Sequence, residues 1–129
     1  MPKQDQAAAT FTLAQANSLL PQVIVLTEAA REEIAACRFP WHALGLRKFR
    51  VTADLPEEDY LLVQWAVAIA RLGARPNGGF TVDIQSTDPE VVYCWQHGED
   101  RIAHQHKAWE DFRQRRPVPE ESPERQRER

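Results

Sequence analysis

The fold of this chain is decided by the segment FTVDIQ at residues 80–85. Its apolar residues Phe80, Val82 and Ile84 alternate with polar ones, which is the period of a β-strand with one buried and one wet face. Residues 86–89 then form a polar loop, and a second apolar segment follows from Val91 to Trp95. The two segments together predict a β-hairpin with a longer loop.

A long helix is predicted from Leu13 to Cys37. Its apolar residues recur at alternating steps of three and four, as in a helix that packs along another helix. Thr12 followed by Gln15 forms a capping-box pattern at its start. Because proline removes a backbone donor and clashes with the preceding turn, Pro21 predicts a kink or a restart within this helix.

A second helix is predicted from Asp54, which caps it, to Leu72, with Gly73 as the stop. Its surface is apolar nearly all round, so we expect it to be the most buried element. Its apolar run, Tyr60 to Leu72, is shorter than the ~20 residues that a membrane span needs, and no membrane association is expected.

A third helix is predicted from Glu99 to about Gln114, after a turn at Gly98. Residues spaced by three and four would share one core-facing side of this helix: Glu99, Ile102, His106, Trp109 and Phe112. His104 would lie off that side. The expected fold is therefore α+β: an antiparallel helix pair packed with a β-hairpin and a C-terminal helix. It occupies residues 11–117, between disordered tails at residues 1–10 and 118–129.

Composition limits the classes of function. The chain has 129 residues, enough for one domain, and 16 basic against 19 acidic residues give a net charge of −3. This balance does not favour nonspecific binding to nucleic acid or to anionic membranes. Two cysteines, Cys37 and Cys94, without an apolar N-terminal segment indicate a cytoplasmic protein with reduced thiols.

One segment is locally basic with interleaved aromatic residues: residues 38–42, continued by residues 47–50. Such a segment can bind single-stranded nucleic acid through phosphate contacts and stacking. A positively charged loop over the core is the favoured alternative, because the chain as a whole is acidic. Nucleic acid is therefore not an expected partner.

The candidate catalytic residues are Cys94, Glu99 and His106. Glu99 and His106 are seven residues apart, so on the predicted helix they share a face and would need a bridging metal or substrate to interact. They are thus candidate metal ligands, while Cys94 is a candidate nucleophile. The structural alternative is favoured: a core histidine, a carboxylate at a helix start and a buried, inert cysteine.

A second metal interpretation pairs Cys37 with His42 and Cys94 with His97. It is disfavoured, because structural zinc sites place each ligand pair in a tight turn, whereas these cysteines lie on a predicted helix and strand. No cofactor is expected.

The sequence resembles a bacterial family catalogued as domain of unknown function 2203. The matching features lie in an N-terminal group and, more specifically, in a C-terminal group: Phe11-Thr12-Leu13, Ala16-Asn17 and Leu19-Leu20-Pro21; then Gly79-Phe80, Val82-Asp83, Tyr93-Cys94-Trp95, Gly98-Glu99, His106, Phe112, Arg115 and Pro117. Among these positions, Asp83, Trp95 and Arg115 are the expected binding residues. The resemblance implies helices packed with a β-hairpin and implies no activity.

Two classes of function remain. The preferred one is a non-catalytic interaction or regulatory module that forms a homo-oligomer through the helix Leu13 to Cys37, because that helix is rich in apolar residues and no complete catalytic motif is present. The alternative is a small metal- or thiol-dependent enzyme that uses Cys94, Glu99 and His106. The sequence does not identify a small-molecule ligand.

Overall fold

The computed structural model describes residues 9–37 and 57–119. The basic aromatic segment at residues 38–42, the continuation at 47–50 and most of both predicted tails lie outside the described residues. His42 and Asp54, named above as a metal ligand and a helix cap, lie outside them too.

The first helix, α1, spans Leu13–Cys37. The predicted capping box is present: the Thr12 amide donates to Gln15 Oε1 over 2.9 Å, and the Gln15 amide donates to Thr12 Oγ1 over 3.1 Å. The helix continues through Pro21, so the predicted restart is wrong. Proline lacks the amide that would donate a helical hydrogen bond at this position. The buried residues on both sides of it, which include Leu20 and Val23, hold the same face of the helix against the core.

The second helix, α2, spans Glu57–Arg71. Its Trp65 donates from Nε1 to Thr27 Oγ1 of α1 over 2.9 Å, a buried hydrogen bond between the two helices. Ile34, late in α1, lines a cavity with Leu62, early in α2, so the helices run antiparallel as predicted. Gly73 ends α2 with a φ of 98°, a conformation that glycine adopts without strain.

The prediction that α2 is the most buried element is wrong. Only Trp65 and Ile69 of this helix are buried, and Leu62, Val63 and Val67 are exposed. The helix that fills the core is α1, whose buried residues are Ala16, Leu20, Val23, Thr27, Ala30 and Ile34. The apolar seam of α1 is therefore covered by this chain's own α2 and sheet. Among the described residues, no helix is long and apolar enough to cross a membrane.

The rest of the described chain forms a five-stranded antiparallel sheet whose strands lie in chain order. They are β1 (Arg75–Asn77), β2 (Thr81–Gln85), β3 (Val91–Gln96), β4 (His104–Lys107) and β5 (Arg116–Pro117). The predicted hairpin is confirmed as β2 and β3, with Asp83 opposite Cys94. The fold is therefore α+β.

The predicted C-terminal helix is wrong. Gly98 makes a turn with a φ of 106°, and residues 104–107 pair with β3 as β4. The one helical segment between Glu99 and Gln114 is a short 3-10 helix, Phe112–Gln114. Residues 99–114 have the spacing of a helix. Residues 104–107 form β4 instead because the backbone of β3 would otherwise lack hydrogen-bond partners along that edge. Trp109, expected in the core, is 70% exposed.

The sheet has two different faces. Val82, Ile84 and Trp95 lie on the face that joins α1 and α2 in the hydrophobic core. Because side chains alternate along a strand, their neighbours Asp83 and Cys94 lie on the opposite face. That second face carries the candidate functional site.

Candidate functional site

The second face of the sheet brings together three side chains from three strands: Asp83 of β2, Cys94 of β3 and His106 of β4. Asp83 lies directly opposite Cys94, and His106 lies opposite Val92, two residues from Cys94 on the same face. One donor atom from each residue lies within 4.8 Å of the other two. The register of the sheet, rather than a helix face, therefore assembles this cluster.

The cluster is buried from the sheet side and reachable from one direction. Cys94 is fully buried and His106 is 4% exposed, whereas the side chain of Asp83 keeps 17% of its surface exposed. Solvent or a ligand thus reaches the cluster beside Asp83.

The orientation of the His106 ring is fixed by the backbone. Nδ1 lies 2.7 Å from the carbonyl oxygen of Lys107. A carbonyl only accepts hydrogen bonds, so Nδ1 carries a proton. In the neutral ring Nε2 then carries a lone pair, and it lies 3.4 Å from Asp83 Oδ1. Two lone pairs face each other unless a proton or a cation lies between them.

The Cys94 thiol is held in its neutral form. Burial, joined by the negative charge of Asp83, raises the pKa of Cys94 from 9.0 to about 12, although Arg115 opposes the shift. Without a bound cation the thiol therefore keeps its proton at neutral pH. A thiolate nucleophile of the ordinary kind needs the opposite shift.

A layer of charged and aromatic groups lies beside the cluster. Arg115 donates to both carboxylate oxygens of Glu99, over 2.6 Å and 3.3 Å, and its guanidinium carbon lies 4.4 Å from the centre of the Phe112 ring. It also donates to the carbonyl of Cys94 over 3.5 Å. Burial opposes the charge of Arg115, but the Glu99 carboxylate outweighs it and raises the pKa of Arg115. Arg115 thus ties the 3-10 helix to β3.

A cleft of about 560 Å³ opens beside Asp83. Its floor includes Thr81 and Asp83 of β2 and Gln96 of β3, and residues 77–79 and 110–112 form its walls. Its two other carboxylates are paired: Glu110 with Arg116 at 2.9 Å, and Asp111 with Arg113 at 3.3 Å. A cleft of this size accommodates a small molecule.

A family described as an uncharacterized conserved protein, DUF2203, has a model that matches residues 9–118. The chain belongs to the DUF2203 family. This confirms the resemblance drawn from the sequence. No curated protein matches the chain, and no solved structure does.

In this DUF2203 domain the predicted site residues divide into separate groups. Cys94 and His106 meet, but Glu99 does not share a helix face with His106, because residues 99–103 form an irregular loop and His106 lies on β4. Glu99 instead binds Arg115, and its Oε2 lies 3.6 Å from His104 Nδ1. The predicted Glu99–His106 pair is therefore wrong in its geometry.

The expected binding residues also separate. Asp83 joins the cluster and the cleft, and Arg115 lies beside them. Trp95 faces the hydrophobic core, where its Nε1 donates to the Glu99 carbonyl over 2.8 Å. Trp95 therefore supports the turn after β3 and does not line the cleft.

Two further histidines are not among the three residues of the cluster. His104, expected off the face of His106, lies on the same sheet face, because residues two apart in a strand point the same way. His97, which the disfavoured zinc interpretation pairs with Cys94, contacts Glu28 of α1, with Nε2 2.8 Å from Oε2.

Proposed function

We propose that this protein is a metal-binding domain that holds one transition-metal ion with Asp83, Cys94 and His106. The observation that supports the proposal is the convergence of a carboxylate oxygen, a thiol sulfur and an imidazole nitrogen within 4.8 Å on one sheet face. The ring of His106 points Nε2 into this space because Nδ1 is held 2.7 Å from the Lys107 carbonyl oxygen. Metal-binding histidines are commonly oriented in this way.

The distances in the cluster match those between the ligands of a bound metal ion. A charge-assisted N–H···O bond is about 2.7–2.9 Å long, but His106 Nε2 and Asp83 Oδ1 are 3.4 Å apart. In a tetrahedral zinc site with bonds of about 2.0–2.1 Å to nitrogen and oxygen, such ligand atoms lie about 3.4 Å apart. A sulfur ligand at about 2.3 Å lies about 3.6 Å from them, so a shift of the thiol by about 1.3 Å at most completes the site.

The donor set selects the metal. A thiolate with an imidazole and a carboxylate suits Zn²⁺ and similar ions, whereas Ca²⁺ and Mg²⁺ prefer oxygen ligands only. Binding displaces the thiol proton, so the ion faces two negative ligands and one neutral ligand. A divalent ion then leaves the buried cluster without net charge, which removes the cost of burying unpaired charges.

Metal binding has more support than the other functions considered. A thiol-only enzyme is disfavoured, because the raised pKa of Cys94 keeps the sulfur protonated near pH 7. The interaction module with self-association through α1 remains an alternative proposal. Its premise is weakened because the apolar seam of α1 is buried within the chain itself.

The test is a zinc titration of the EDTA-treated full-length protein by calorimetry with a competing chelator. We expect one Zn²⁺ per chain. Asp83→Asn and His106→Gln should each weaken binding by at least about tenfold, because each removes a ligand.

The matched control is Asp111→Asn. It removes another carboxylate that lines the cleft, and asparagine also caps the 3-10 helix that Asp111 begins. This variant should bind zinc as the wild type does. An absence of zinc binding by the wild type, or equal losses in Asp83→Asn and Asp111→Asn, would overturn the proposal.

A further inference from the structure

We infer that the bound metal keeps one open coordination position in the cleft, and that this position takes a small, uncharged molecule with a nitrogen or oxygen donor. The inference rests on the proposed metal site and goes beyond it, because a purely structural site would be closed by a fourth protein ligand. Sites with three protein ligands and one exchangeable position are typical of metals that bind or transform a substrate.

The position of Asp83 points to the open side. Among the three ligands, Cys94 and His106 are buried under the sheet, and only Asp83 also lines the cleft. His104 lies opposite Cys94 on the same sheet face, but its Nδ1 lies 3.6 Å from Glu99 Oε2, and in the described part of the chain the donor atoms that converge within 4.8 Å are those of Asp83, Cys94 and His106 alone. The fourth direction of a tetrahedral ion held here therefore leads into the 560 Å³ cleft.

The charges around the cleft select an uncharged ligand. The ion with its thiolate and carboxylate ligands is neutral overall. Glu110 and Asp111, which line the cleft, are each paired with an arginine, and Arg116 lowers the pKa of Glu110 so that this pair stays charged. No excess of positive charge is therefore left to attract an anion.

The walls supply recognition groups for such a molecule. Gln96 accepts from Arg115 through Oε1 over 3.4 Å, which leaves its amide NH₂ as a donor at the edge of the cleft. The Thr81 hydroxyl donates to the Gly78 carbonyl over 3.0 Å and keeps its lone pairs as acceptors. Phe112 adds an apolar wall. A flat heterocycle with one free ring nitrogen fits these features.

The experiment uses the full-length protein loaded with Co²⁺, whose visible and near-ultraviolet spectra report its ligands. Imidazole is mostly uncharged at pH 8 and azide is an anion of smaller size. We expect imidazole to shift the visible cobalt bands with a 1:1 saturation curve, and azide to bind at least about tenfold more weakly. Unchanged bands with imidazole, or azide binding as tightly, would overturn the inference.

Two variants test whether imidazole binds in the cleft. Gln96→Trp and Asn77→Trp fill the cleft from opposite sides, and both positions are exposed, so they tolerate a large side chain. Each should retain the sulfur-to-cobalt absorption band and weaken imidazole binding at least about fivefold. Wild-type imidazole affinity in both variants would place the probe outside the cleft and overturn the inference. A wild-type protein with no sulfur-to-cobalt band would instead overturn the proposed metal site itself.

Discussion

The buried thiol of Cys94 makes the protein sensitive to alkaline pH. Burial, joined by the Asp83 carboxylate, raises the pKa of Cys94 from 9.0 to about 12. In the unfolded chain the thiol loses its proton near the lower value, while the folded chain keeps it until the higher one. The stability that this difference contributes is therefore fully present below pH 9 and is lost as the pH rises from 9 towards 12.

The expected size of the effect follows from the two pKa values. A pH of about 10.5 lies roughly 1.5 pH units above the pKa of the unfolded thiol and still below that of the folded one. The free energy of unfolding is then lower by about 2 kcal/mol, since each pH unit in this range is worth about 1.4 kcal/mol. At about pH 8, below both pKa values, the loss is close to zero and the contribution is fully present.

The assay is urea unfolding followed by tryptophan fluorescence, with EDTA present so that no metal holds the thiolate. Wild type and Cys94→Ala are compared at pH 8 and pH 10.5. The variant is less stable at both pH values because it leaves a cavity, but it lacks the thiol, so other groups that titrate cancel in the comparison. Between pH 8 and pH 10.5 the free energy of unfolding of the wild type should fall by about 2 kcal/mol more than that of the variant. Equal losses would refute the conclusion that this site holds the thiol neutral.

Three further predictions concern other contacts. Glu99→Gln should lower stability by roughly 1–3 kcal/mol in urea unfolding, because it leaves the half-buried Arg115 without its charged partner; an unchanged midpoint would contradict this role. Thr27→Val should cost roughly 1–3 kcal/mol by calorimetric melting, because the buried Trp65 N–H loses its acceptor; a neutral result would mean that the bond contributes little. Self-association through α1 stays a prediction: Val25 is the one large hydrophobic residue that α1 exposes, so Val25→Glu should shift a dimer to monomer in sedimentation, and a strictly monomeric wild type at about tens of micromolar would exclude it.

Local signals in the sequence predict the elements whose bonds are local. The Thr12 and Gln15 capping box and the stop at Gly73 each act within a few residues, and each appears in the structure as expected. The alternation is confirmed for residues 82–85, whereas Phe80 has a φ of 57° and precedes the strand. The C-terminal segment is different. Its helical spacing is real, but its hydrogen bonds go to β3, and a pairing between strands is not visible in the spacing of one of them.

The candidate site was predictable only in part for the same reason. The alternation in β2 places Asp83 on the wet face, and the hairpin brings β3 beside it. The segment of β3 is apolar on both faces, so its pattern alone does not show that Cys94 faces Asp83. His106 reaches the cluster only because β4 exists. The predicted helix that would place Glu99 on the same face as His106 does not form, and Glu99 instead forms an ion pair with Arg115.

The most direct test of the metal site is X-ray absorption at the zinc edge of the zinc-loaded, full-length protein. We expect one sulfur neighbour at about 2.3 Å and the remaining neighbours, nitrogen and oxygen, at about 2.0–2.1 Å. The sulfur should disappear in Cys94→Ser, since Cys94 is the thiol of the cluster. A zinc shell of nitrogen and oxygen only in the wild type, or a sulfur that persists in Cys94→Ser, would contradict the assignment of Asp83, Cys94 and His106 as the ligands.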